Sequence, residues 1–67
     1  MDITHVQQRV QAITDVASDY ERAHGLEGDL LTEVLTEIAS TTTDPRAQEL
    51  ADAALKSREI HFMRVAA

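Results

Sequence analysis

Three sets of apolar residues recur at three- and four-residue intervals, and no stretch alternates at period two, which confines this chain to helices. In the first set, Ile3, Val6, Val10, Ile13, Ala17 and Tyr20 step by the a/d spacing of a coiled-coil seam. Gln7, Gln8, Gln11, Thr14, Asp15, Ser18 and Glu21 fall on the opposite side, so the spacing predicts a helix over about 3–23. The second set, Leu31, Val34, Leu35 and Ile38, opposes Glu33, Thr36, Glu37 and Ser40 and predicts a shorter helix over about 30–40. The third presents Ala47, Leu50, Ala51, Ala54, Leu55, Phe62 and Val65 within one arc and predicts a helix over about 45–65.

The punctuation agrees with this division. Gly25 can take the left-handed conformation that ends a helix, Gly28 extends the break, and Asp29 can cap the next element. Thr41, Thr42 and Thr43 are polar and β-branched, and Asp44-Pro45 then supplies an N-cap followed by proline at the first helical position. The expectation is an all-α, three-helix arrangement, long-short-long, in a single helical domain over 1–67.

Unequal lengths carry a consequence. At about 1.5 Å per residue, an antiparallel second helix returns only about half the length of the first, so the third starts near the middle and climbs past its end. The last turns, with Ile60, Phe62, Met63 and Val65, then lack an intrachain neighbour, while Ile3, Val6 and Val10 are uncovered at the other end. Apolar patches of this kind seldom stay exposed on a monomer, so the expected completion is a two-fold homodimer that closes a helical bundle. Ile60 and Met63 project away from the main stripe of their helix, which fits that use.

Size points the same way, because 67 residues lie near the limit at which a core stabilises a monomer unaided. The absence of cysteine removes disulfides, thiol nucleophiles and thiolate metal sites. No apolar run approaches the roughly 20 residues that span a bilayer, and no basic segment precedes an apolar block, so a cytoplasmic protein without membrane contact is expected. A formal charge of −6 repels nucleic acid and steers basic partners inward. Tyr20 and Phe62 are the only aromatic residues, too few for a base-stacking platform.

Candidate chemistry is sparse. Asp15/Asp19 and Glu33/Glu37 stand at i, i+4, a spacing that lets two carboxylates approach one cation. Neither pair has the Glu-x-x-His companion of a helical di-metal site, so both read as solvated faces and no metal is assigned. His5, His24 and His61 are scattered, with His24 placed to interact with the dipole at the end of the first helix. Arg58 falls inside the apolar arc of the third helix, where it must reach solvent along its stem or pair across an interface. Ser18, Ser40 and Ser57 lack a nucleophile elbow, and no phosphate loop or dinucleotide fingerprint is present. The Asp-Ser-Leu attachment site of acyl carrier proteins is missing too, Asp29-Leu30-Leu31 being the nearest approach.

These features exclude a catalytic or cofactor site and favour a non-enzymatic, homo-oligomeric interaction module acting on a protein partner. The interface residues expected are Ile3, Val6, Val10, Arg58, Ile60, Phe62, Met63 and Val65, with Asp15, Asp19, Glu33 and Glu37 facing a basic partner. Rival readings are an accessory subunit of a larger enzyme, an acidic DNA mimic or inhibitor of the antitoxin or phage kind, and a helix-turn-helix regulator. The last is opposed by charge, because Arg46, Lys56, Arg58 and Arg64 are balanced by Asp44, Glu49, Asp52 and Glu59.

Overall fold

In the computed structural model, which describes residues 1–62, three α-helices follow one another and no strand occurs among the described residues. They are α1 (Ile3–Asp15), α2 (Tyr20–Thr41) and α3 (Pro45–Leu55), and a 3₁₀ turn over Lys56–Glu59 continues α3. The chain divides into two compact units, Met1–Leu30 and Leu31–Phe62, with the division falling inside α2.

The all-helical class expected from the apolar spacing is present, but the order of lengths is reversed. The middle helix, at 22 residues, is the longest, and α1 and α3 have 13 and 11. The first break lies at Val16–Asp19 instead of 24–29. Ser18-Asp19 makes a break possible there, because short polar side chains compete with helical hydrogen bonds and favour caps. Asp19 accepts the backbone N–H of Arg22 at 3.2 Å and starts α2. Val16 and Ala17 donate to Ile13 and Thr14 carbonyls, and Asp19 to that of Val16, so the break is a tight turn of helical sense.

Across the expected break the helix runs straight through both glycines. Each costs about 1 kcal/mol relative to alanine inside a helix. Leu30, which is 5% exposed, and half-buried Leu26 lie one helical turn apart on α2. Burying one leucine contributes about 1.5–3 kcal/mol, enough to offset the glycines.

In the first unit, α1 opens on Asp2, whose carboxylate accepts the His5 N–H at 3.0 Å. Its half-buried residues are His5, Val6, Arg9 and Ile13, joined by Val16 at its C-cap. At 100° per residue this face is rotated by roughly 60° from the seam read in the sequence. Ile3 and Val10, both in that seam, are therefore exposed, and Arg9 and Val16, outside it, are partly covered.

The second unit behaves more nearly as its pattern implies. Asp44 caps α3 by accepting the Arg46 N–H at 2.9 Å, with Pro45 in the first turn. Thr42 accepts the Asp44 N–H at 3.1 Å and tightens the connection. Ala39 on α2 and Ala51 on α3 are buried, and small side chains at such positions let helices approach closely. The third helix ends ten residues earlier than its apolar pattern suggests, because helical periodicity is enforced by burial and Ile60 and Phe62 stay more than half exposed. Leu55 and Lys56 keep helical torsions while the hydrogen bonding tightens, and Ile60 is extended.

Candidate functional site

The surface that stands out is apolar. Among the described residues only Leu30, Ala39 and Ala51 are buried, whereas Ile3 is 68% exposed, Val10 50%, Leu31 57% and Leu50 59%. Ile60 and Phe62 are similarly open, at 59% and 56%. Two of these sets are ordered: Ile3 and Val10 stand seven residues apart on α1, and Leu31 and Ile38 stand seven apart on α2, so each pair shares one helical face.

Of the interface residues read from the sequence, Ile3 and Val10 are exposed on α1 and Val6 is half-buried beside them. Ile60 and Phe62 are exposed beyond the 3₁₀ turn, and Met63 and Val65 lie outside the described residues. Arg58 is open to solvent, one of the two outcomes expected of it, but on a different element. Because α3 ends at Leu55, Arg58 sits in the 3₁₀ turn with its side chain exposed, and no apolar arc encloses its charge. Leu31, Ile38 and Leu50 were missed as exposed positions, since pattern alone assigns them to the covered stripes of their helices.

The acidic pairs also separate. Asp15 is the last residue of α1 and accepts from the Gln11 amide at 2.9 Å, while Asp19 caps α2 across the turn, so they do not share a helical face. Both are exposed. Glu33 and Glu37 do share a face of α2 but are half-buried, contrary to the solvated face expected of them. Among the described residues, no group of three His, Asp or Glu side chains is placed to hold a metal ion. His24 lies within the N-terminal half of α2, not at a helix C-terminus, so the dipole interaction expected for it does not arise.

Four hydroxyl groups donate to their own helices. Thr14 donates to Val10, Thr36 to Thr32, and Ser40 and Thr41 to Glu37, all through backbone carbonyls at 2.7–3.3 Å. Among the described residues, no helix is long and apolar enough to cross a membrane. What the fold and surface define is a class alone: a small all-helical protein with ordered apolar stripes facing outward. No protein family, curated protein or solved structure matches the chain.

Proposed function

We propose that this chain is a non-enzymatic helical interaction module that works as a homo-oligomer against a protein partner. The observation that carries the reading is the imbalance between three buried residues and the large apolar side chains left more than half exposed among the described residues. Each such side chain forgoes a large part of the about 1.5–3 kcal/mol that full burial contributes, which a second molecule can supply.

Self-association through α1 is supported by charge as well as spacing. Residues 3–14 contain no acidic side chain in a chain of net charge −6, and their only Lys or Arg is Arg9. Two copies can approach along Ile3 and Val10 without bringing carboxylates together, which α2, with Glu21, Glu27, Asp29, Glu33 and Glu37, does not permit so readily. The exposed carboxylates of Asp15 and Asp19 are then left to face a basic partner, with binding that weakens as salt rises.

Sedimentation equilibrium from low to high micromolar concentration tests the reading. The expected result is a dimer or larger species, with association weakened about tenfold or more in the double variant Ile3→Gln/Val10→Gln while helicity is kept. A wild-type chain that stays monomeric throughout that range overturns it.

A further inference from the structure

The helix break between α1 and α2 lies where the sequence supplies no glycine or proline, and α2 continues where it supplies two glycines. Val16-Ala17-Ser18-Asp19 interrupts the helices, whereas Gly25 and Gly28 sit inside α2. The closed helix makes no use of Gly25's special properties. No glycine among the described residues has a positive φ, and a Cβ built at Gly25 would meet nothing within 4 Å. Glycine is needed where the backbone turns left-handed or where a neighbour comes close, and α2 as it stands asks for neither at this position.

We propose that the first unit has a second state in which the break migrates: residues 16–19 become helical, joining α1 to the start of α2, and the helix opens instead at Gly25–Gly28, with Asp29 capping the remainder. Three observations converge on it. The turn at 16–19 already has helical-sense hydrogen bonds, from Val16 to Ile13, Ala17 to Thr14 and Asp19 to Val16, so closing it into helix asks for little rearrangement. The apolar spacing runs without a fault across the turn, from Ile13 to Ala17 to Tyr20, yet Tyr20 is now 73% exposed at the head of α2. Finally, each state has its own aspartate cap: Asp19 already receives the Arg22 N–H in the observed state, and Asp29 follows Gly28 at the place an N-cap must occupy in the other. The consequence is an uninterrupted Ile3–Tyr20 seam present in one state and divided in the other.

The paired caps make the test two-sided. In the full-length chain, kept dilute, Cα chemical shifts at 16–19 and 25–29 report which segment is helical, and amide exchange at 25–32 reports opening at the glycines. Asp19→Ala removes the cap of the observed state and favours helix through 16–19, so open-to-closed ratio at 25–32 is expected to rise about fivefold while the shifts at 16–19 move toward helical values. Asp29→Ala is expected to lower the same ratio about fivefold, and Gly25→Ala to lower it by a similar factor. The proposal is overturned if Asp19→Ala merely frays residues 20–23 and leaves the shifts at 16–19 unmoved. It is overturned equally if Asp29→Ala and Gly25→Ala both leave exchange at 25–32 within twofold of wild type.

Discussion

The side-chain amide of Gln48 donates a hydrogen bond to the backbone carbonyl of Ala39 across 3.2 Å, in a partly buried position that joins the first turn of α3 to the last turns of α2. It does so beside Ala39 and Ala51, the two buried alanines of the second unit. With so little apolar burial available there, a single shielded polar contact carries more of the packing than it would in a larger core.

Replacing Gln48 by alanine is expected to destabilise the fold by about 1 kcal/mol, the usual net value of one intramolecular hydrogen bond. For a chain of this size that lowers the melting temperature by about 4–8 °C. Thermal unfolding followed by circular dichroism measures it, and an unchanged midpoint would show that water replaces the amide at no cost.

Leu50 and Ala51 are neighbours in α3 with opposite surroundings, at 59% and 4% exposure. Ala51→Leu is expected to cost about 1–3 kcal/mol through overpacking. Leu50→Ala, by contrast, should leave the unfolding free energy of the isolated chain within about 0.5 kcal/mol of wild type. Urea titrations of both variants check the pair, and a larger loss for Leu50→Ala than for Ala51→Leu would contradict the burial described.

Asp44 caps α3 through the Arg46 N–H. Asp44→Ala is therefore expected to cost about 1 kcal/mol, and Asp44→Asn much less, because the amide oxygen accepts the same bond. The comparison is made by denaturant unfolding. Equal losses in both variants would assign the effect to the carboxylate charge near the helix N-terminus instead of to the cap.

How far the sequence reached differs from element to element. The start of α3 was legible to the residue, since Asp44-Pro45 forms a cap and first turn from local chemistry that no neighbour needs to supply. The end of α3 was not, because continuation past Leu55 depends on a surface for Ile60 and Phe62 to pack on. The exposed positions Ile3, Val10, Ile60 and Phe62 were legible as candidates for contact. Arg58 was misplaced because its surroundings followed from a helix that stops three residues before it.

What the sequence determined alone is the helical class and the capping chemistry at Asp2 and Asp44, each set by interactions within a few residues along the chain. Tertiary structure decided where the first helix breaks and which side of each helix is covered. Both are contests between small terms: two glycines at about 1 kcal/mol each against one buried leucine at about 1.5–3, or a Ser-Asp turn against an unbroken apolar spacing. Local propensities of that size leave the outcome to whichever side chains find partners once the helices meet.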